Sequence, residues 1–358
     1  MRLNMDNNLP KDFQKDFSNI VSEIRAARKK VIETANKELV LLYWNLGKQI
    51  SQKIQSSHWG DDAVGKLAGY IKKNAPDLKG FTRRSLYRMR KFYETYQDNK
   101  FVSTVLTQIP WSAHLHILSK TTSIEEKQFY IDLYIKEKYS VRELERQIDS
   151  GYFERCLIAK AKQDKYVSSA MTQLYPDISN SLIDTYVLDF LNLPDSHSEK
   201  ELQQSIIENL KKFVLETGRD FTFIGDNYRI QVGNKDFYIG LLFFHRQLQS
   251  LVAFELKITE FKPEYIGQLD FYLEALDREV KKDHENPSIG VLLCKNKDDE
   301  IVEFALSRSL SPALIAKYET ELIDKDLLKQ KLNEFYELES QKQKLYIPNN
   351  SKNIRNAN

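Results

Sequence analysis

The sequence has few of the residues that define several classes of protein. Its only cysteines, Cys156 and Cys294, stand far apart and form no Cys-x-x-Cys pair, so neither a disulfide framework nor a zinc site is expected. The longest apolar runs, such as 39–44 and 289–294, are far too short to span a membrane. The segment 1–17 is polar and lacks the apolar core of a signal peptide, so we expect a cytoplasmic protein without membrane contact.

Charge of one sign is not in excess either. Lys and Arg number 53 against 51 Asp and Glu, which leaves a net charge of +2. This balance gives no overall reason to expect nucleic acid as a partner, so that inference needs local clusters of charge. The hydrophobic content of 41% and charged content of 29% are typical of a globular protein, and a length of 358 residues favours two domains.

Helical periodicity dominates the first half. Apolar residues recur at i, i+3 and i+4 through residues 10–162, which predicts an all-α domain over residues 1–165. Within it, Ser140 followed by Glu143 predicts a capping box at the start of a helix. The segment 166–200 is rich in Ser, Asp, Asn and Pro, so we expect a linker there.

The pattern changes after residue 200. A helix is predicted over residues 201–216, and short β-branched, aromatic and apolar runs then predict successive strands: FTFIG, YRIQV, FYIGLLFF and LVAFELKI. A helix over 263–282 and the strand SIGVLLC complete an α/β or α+β domain over residues 201–340. The Asn-rich segment 341–358 predicts a flexible tail.

A charged pair interrupts the predicted strands. The segments 238–244 and 251–257 can form an antiparallel hairpin in which Gly240 faces Glu255. Opposed side chains emerge on one face with Cβ atoms roughly 5 Å apart, and Lys257 shares that face because the strand period is two. Two carboxylates so placed suit Mg²⁺, and a lysine beside them can neutralise charge on a phosphate. The alternative interpretation of Glu255 and Lys257 is an ion pair on an exposed sheet face.

Blocks of sequence in both halves carry a family resemblance. The C-terminal half resembles a PD-(D/E)xK nuclease domain, with FELK as its E-x-K element. The whole chain is similar to the YhcG-like bacterial proteins, which join a helical N-terminal domain to a nuclease domain of this kind. The blocks that carry the similarity are GFTRRSLYRMRKFYETY, IPWSAHLHIL, YSVRELERQIDSGYFERC, FVLETGRDFTFIG, FELKITEFKPEYIGQLDFYL and PSIGVLLCKNK.

The resemblance implies a restriction-endonuclease-like fold, with a central mixed sheet flanked by helices. It also implies hydrolysis of a nucleic acid backbone with Mg²⁺ or Mn²⁺, on DNA rather than RNA. By position, Glu255 is then a metal ligand and Lys257 the catalytic lysine. The family usually has Asp where this chain has Gly240, so we expect weak or absent cleavage.

Other polar residues are candidates to complete the site. Glu208, on the helix before the sheet, is a candidate metal ligand, and the resemblance leads us to expect an acidic residue near Gln203, where the chain has an amide. Glu264 and Gln268 lie one turn apart on the helix after the E-x-K strand, which lines the site in this family. A solvated helix start is the alternative for both of these residues.

A basic helix is predicted near residues 85–97. Arg84, Arg88 and Lys91 fall at i, i+4 and i+7 and form one stripe, to which Arg83 adds a further charge. Such a stripe can contact the phosphates of nucleic acid, and the preceding amphipathic segment allows a helix-turn-helix-like pair. A solvated helix face is the alternative interpretation.

Two further function classes stay open. If nothing compensates for Gly240, the protein is a catalytically inactive module that binds nucleic acid or another protein. The long N-terminal helices can supply a surface for self-association, so we also expect a homo-oligomer. A purely structural scaffold is the other class, and DNA affinity that falls steeply with salt would argue against it.

Overall fold

The computed structural model describes residues 11–56, 62–98, 105–176, 178 and 182–346. The chain divides into two compact units, residues 1–145 and residues 146–358. This division falls before the predicted boundary near residue 165, and the domain limits given above stay predictions. Among the described residues, no helix is both long and apolar enough to cross a membrane.

The described part of the first unit is helical. Its elements are α1 (Lys11–Gln55), α2 (Ala63–Asn74), α3 (Arg83–Tyr96), a 3-10 turn (Leu106–Gln108), α4 (Trp111–Lys120) and α5 (Ile124–Glu137), and α6 (Val141–Asp149) runs into the second unit. The capping box predicted at α6 is confirmed. The backbone N–H of Ser140 donates to the Glu143 carboxylate, and the Glu143 N–H donates to the Ser140 hydroxyl.

Helices α1 and α3 form the core of this unit. They cross at Gly47, where a Cβ atom would overlap the backbone carbonyl of Met89. The absence of a side chain therefore lets the two helices approach closely. The Trp44 ring packs edge-on against Phe92 and Tyr93, with centroids 5.7 and 4.9 Å away, so Trp44 belongs to the core.

The second unit is built on a sheet of six strands. The strands are β1 (Thr185–Val187), β2 (Phe221–Val232), β3 (Lys235–His245), β4 (Ser250–Glu260), β5 (Asn286–Asn296) and β6 (Ala313–Glu319), in the order β1-β6-β5-β4-β3-β2. The helices are α7 (Tyr152–Ala161), α8 (Gln163–Tyr166), α9 (Ser169–Leu174), α10 (Glu199–Glu208), α11 (Leu210–Thr217), α12 (Glu264–Glu279), α13 (Asp299–Leu306) and α14 (Lys325–Tyr346).

Strand β4 is the point where the sheet changes direction. It pairs antiparallel with β3 and parallel with β5, and α12 makes the crossover between β4 and β5. Residues 250–257 are buried without interruption, as expected of a central strand covered on both faces. The predicted combination of a helical first part with a mixed sheet in the second is confirmed.

The structure corrects several local expectations. The segment predicted as a linker contains α9 and β1 among its described residues; β1 pairs in parallel with β6, and Tyr186 is buried in the core. FTFIG and YRIQV lie in one bulged strand, β2, and the helix predicted over 201–216 is two helices that meet at Asn209. Helix α14 continues to Tyr346, so it includes part of the predicted tail; residues 347–358 lie outside the described residues.

A buried ion cluster joins four elements of the second unit. The Glu216 carboxylate, at the end of α11, accepts from Arg155 of α7 at 2.6 Å and from Arg146 of α6 at 2.9 Å. The backbone N–H of Val187 in β1 donates to the same carboxylate at 2.8 Å. Burial alone would raise the pKa of Glu216, but the two arginines outweigh it and hold the pKa below its ordinary value.

Candidate active site

The hairpin of β3 and β4 has the predicted register. Leu241 pairs with Phe254 and Phe244 with Leu251, so position 240 faces position 255 across the two strands. A Cβ atom added at Gly240 would lie 3.9 Å from Glu255 Oε2 and 3.2 Å from the Phe254 carbonyl oxygen. A side chain at position 240 would therefore start beside the Glu255 carboxylate.

Glu255 and Lys257 form a buried ion pair on β4. The Lys257 ammonium donates to Glu255 Oε1 at 3.0 Å, and each side chain is only 11% exposed. The alternative of a solvent-exposed pair on the sheet is therefore wrong. Burial raises the pKa of Glu255 above its ordinary value; Lys257 opposes this rise and Glu199 adds to it. Burial disfavours the charged form of Lys257, but Glu255 and Glu199 outweigh it and raise the pKa of Lys257.

Helix α10 brings two further side chains to this pair. A Glu199 carboxylate oxygen lies 3.5 Å from the Lys257 ammonium, and Gln203 donates to the backbone carbonyl of Gly240 at 2.9 Å. The sequence reasoning missed Glu199 because it began the helix at residue 201. Ser198 and Glu201 form a capping box, a signal in the sequence that places Glu199 in the first turn.

Helix α12 covers the pair from another side. The Gln268 amide donates to Glu255 Oε1 at 3.4 Å and to the Tyr272 hydroxyl at 2.9 Å, so Gln268 lies at the centre as expected. The Lys257 ammonium also lies over the ring of Tyr265, 5.2 Å from its centroid. Glu264, the first residue of the helix, is exposed.

Glu208 has a different environment. It is exposed at the end of α10 and accepts from Gln204 at 3.1 Å, one turn earlier on the same helix. The contacts that α10 makes with the β3–β4 centre come instead from Glu199 and Gln203. The metal-ligand role assigned to Glu208 stays a prediction, and the contacts on α10 favour Glu199 over it.

The carboxylates of this centre form an incomplete set of metal ligands. Glu255 already forms an ion pair with Lys257, the Glu199 side chain is 47% exposed, and Gly240 has no side-chain ligand. Across the described ranges, no three or more His, Cys, Asp or Glu side chains come together as metal ligands. Mg²⁺ needs hard oxygen ligands in near-octahedral geometry, so the residues present do not fit the ion well.

The predicted basic stripe lies on α3. Leu86, Met89 and Phe92 are buried on its inner face. Arg83 and Arg84 are exposed at its start, and Arg83 lies 3.6 Å from Asp62. The remaining two members are Arg88, which is half-buried, and Lys91, which donates to the Leu118 carbonyl at 3.2 Å.

A groove runs beside the start of the same helix. It has a volume of about 530 Å³ and is lined by residues of α2, of α3 and of the connection between them. Lys72, Lys79 and Arg83 lie along it. The helical unit therefore presents a concave surface with several positive charges, and none of the described residues that line it is acidic.

Comparisons with known proteins agree with these two halves. Residues 179–333 match the family model of the YhcG PDDEXK nuclease domain, and residues 19–155 match that of the DUF1016 N-terminal domain. An Escherichia coli (strain K12) protein named "Putative nuclease YhcG" is 27% identical over 354 residues, which cover 89% of this chain and 93% of that protein.

A solved repair endonuclease from Pyrococcus abyssi is 20% identical, over 35% of this chain and 49% of that one. The TM-score of this match is 0.26.

The match of residues 179–333, over the mixed sheet with its Glu-x-Lys strand, identifies this region as a nuclease domain of the PD-(D/E)xK class. The order of the two matched regions then defines the family. The chain belongs to the YhcG-like proteins, which join a DUF1016 N-terminal domain to a PDDEXK nuclease domain. A nuclease-type function follows from this membership.

Proposed function

We propose that this protein has the fold of a Mg²⁺- or Mn²⁺-dependent endonuclease and acts on DNA, and that Gly240 makes its cleavage of DNA weak or absent. One observation carries the proposal. Glu255, Lys257 and Gln268 converge beside position 240, where a side chain would start 3.9 Å from Glu255 Oε2 and the glycine supplies none. DNA rather than RNA follows from the family resemblance, and the cytoplasmic location stays a prediction.

The chain's own residues support a role in phosphodiester chemistry. Lys257 is a cation with a raised pKa, so it stays charged at neutral pH and can neutralise an approaching phosphate. Gln268 and Lys257 together fix the orientation of Glu255. When bound, a divalent ion would supply the activated water of such a reaction. Because position 240 is a glycine, the ion would have no second buried carboxylate beside Glu255.

The second candidate is a catalytically inactive module that binds nucleic acid. The basic surface of α3 favours it, because phosphate contact needs only positive charge and an accessible surface. Arg84 and Arg88 provide this charge at one turn's spacing. In this case the Glu255 centre is a remnant of the site and the helical unit carries the function.

Cleavage assays separate the two candidates. Plasmid and branched DNA would be incubated with Mg²⁺ or Mn²⁺ and with the unchanged protein, Gly240→Asp, Gly240→Asn, or Gly240→Asp combined with Lys257→Ala. Gly240→Asn has the size of the aspartate without its charge and is the matched control. We expect cutting by Gly240→Asp alone, while robust cutting by the unchanged protein would overturn the proposed weakness.

DNA binding would be measured in parallel at several salt concentrations. Arg84→Ala with Arg88→Ala should weaken binding and lower the slope of log affinity against log salt by roughly 0.9 for each phosphate that the protein no longer neutralises. Lys48→Ala, at an exposed position of α1, is the control. An unchanged slope in the double variant would argue against α3 as the contact surface.

A further inference from the structure

Helix α1 has an apolar face that the described residues of this chain leave exposed. Every residue from 13 to 35 is exposed, a stretch of roughly 34 Å at 1.5 Å per residue. The helix is tied to the helical unit at Asn36, whose amide donates to the carbonyls of Thr107 and Ile109. The segment 13–35, here termed the α1 arm, therefore extends from the helical unit.

The apolar residues of the α1 arm follow a heptad. Their spacing alternates between four and three residues, as in the seam of a coiled coil: Phe13, Phe17, Ile20, Ile24, Ala27 and Val31. Phe13, Ile20 and Ile24 are each 53% exposed, and Val31 is 69% exposed. A single helix with such a stripe is only marginally stable in water, so the arm requires a partner for this seam.

The distribution of charge along the α1 arm favours a second copy of the same arm as its partner. Residues 13–24 carry one lysine against two acidic residues, whereas residues 25–35 carry four basic residues against one glutamate. When the same segment is reversed in direction, its basic half lies where the acidic half was, so the two charge distributions complement each other. Two copies in antiparallel orientation would place the acidic half of each arm beside the basic half of the other.

We propose that the α1 arm pairs with the α1 arm of a second copy in an antiparallel two-helix coiled coil. The seam runs from residue 13 to residue 31. When two copies pair in opposite directions, Ile20 of one lies opposite Ile24 of the other, and Phe17 lies opposite Ala27. Parallel pairing would instead align like-charged halves. The dimer depends on neither the Glu255 centre nor the basic stripe, so its test is independent of the proposed function.

Sedimentation of the full-length protein across a concentration series tests the dimer. Ile20→Asp combined with Ile24→Asp puts charge into the seam. Ser18→Asp combined with Ser22→Asp adds the same charge on the opposite face and is the matched control, because all four positions are exposed. Neither pair touches the folded units in the described residues, so the thermal unfolding of both variants should match that of the unchanged protein.

We expect a dimer for the unchanged protein and the serine variant. The dissociation constant of the isoleucine variant should rise roughly 100-fold or more, since each copy then has two fewer apolar side chains to bury in the seam. A monomer for the unchanged protein at tens of micromolar would overturn the proposal. Equal dimerisation of the isoleucine and serine variants would also overturn it, because the interface would then lie elsewhere.

Disulfide cross-linking tests the orientation. A mixture of Phe17→Cys and Ala27→Cys proteins should form a mixed disulfide, whereas Phe17→Cys alone should not link to itself, since about 15 Å separates the two sulfurs along the antiparallel axis. Burial raises the pKa of the native thiols Cys156 and Cys294 to about 12, so they should not compete. Efficient self-linking of Phe17→Cys would overturn the antiparallel arrangement.

Discussion

Two buried carboxylates in the second unit show opposite environments. Glu216 is fully buried and receives two arginines and a backbone N–H, and its pKa lies below the ordinary value. Glu255 is almost as well covered but receives only one cation, Lys257, beside Gln268 and the backbone N–H of Gly240, and its pKa lies above the ordinary value. Burial penalises both charges, so the neighbouring charges decide the direction of the shift: two arginines act on Glu216, whereas one lysine and the opposing Glu199 act on Glu255.

The difference separates a structural charge from a charge available for chemistry. The partners of Glu216 come from α6, α7 and β1, so the carboxylate connects elements that are distant in sequence. Glu255 has a single cation, Lys257, beside it, and its pKa stays raised, so a bound cation would add the missing positive charge. A carboxylate that its own protein leaves under-compensated is typical of a functional site.

The largest expected effect is at Glu216. Glu216→Gln should lower the free energy of unfolding by roughly 3–5 kcal/mol, because Arg155 would keep its buried charge without a compensating anion, whereas Arg146 would retain Asp189. Chemical denaturation followed by circular dichroism measures this loss. A cost below about 1 kcal/mol would remove the contrast between the two carboxylates.

A smaller loss of stability is expected when a carboxylate is introduced at position 240, beside Glu255. Gly240→Asp without metal should cost about 1–2 kcal/mol, because two carboxylates then share a site of low polarity. Gly240→Asn makes the same contact with the Phe254 carbonyl without the charge. Equal stability of the two variants in a chelating buffer would contradict the charge argument.

A still smaller change is expected at Glu255 itself. Glu255→Gln should shift the free energy of unfolding by less than about 1 kcal/mol at neutral pH. The neutral amide avoids the cost of burying a charge, and Lys257 retains its ion pair with Glu199. Denaturation beside Glu216→Gln provides the comparison. A loss as large as that of Glu216→Gln would mean that Glu255 is also a structural charge.

The two carboxylates should also differ in the sign of their pH dependence. The raised pKa of Glu255 means that the folded state binds the proton more tightly, so its contribution to stability is full below the ordinary value of 4.5 and is lost as pH rises through the folded pKa. The contribution of Glu216 is present above 4.5 and is lost as pH falls through its lowered pKa. Stability curves of the unchanged protein and the two glutamine variants over acid to neutral pH test these signs, and parallel curves would contradict them.

Much of the candidate site could be predicted from local patterns. The hairpin register follows from two apolar strands and a short polar connection, and this register alone places Gly240 beside Glu255. Gln268 follows from its place on the helix after the E-x-K strand. Glu199 was missed because an error of two residues in the helix start conceals which side chains occupy the first turn.

Features that depend on distant partners could not be predicted. Strand β1 has three residues and is stabilised by β6, more than a hundred positions later, so its own sequence resembles a loop. The Glu216 cluster joins residues 146, 155 and 216, which no spacing rule connects. The exposure of the α1 arm likewise depends on where α1 is tied to the helical unit.

Metal binding at position 240 is the most direct test of the incomplete Glu255 centre. Titration calorimetry with Mn²⁺ would compare the unchanged protein, Gly240→Asp and Gly240→Asn. We predict a site in Gly240→Asp that Glu255→Gln abolishes, and at most weak binding in the other two proteins. Tight binding by the unchanged protein that Glu255→Gln abolishes would contradict this prediction, because the Glu255 centre would then be complete without a side chain at position 240.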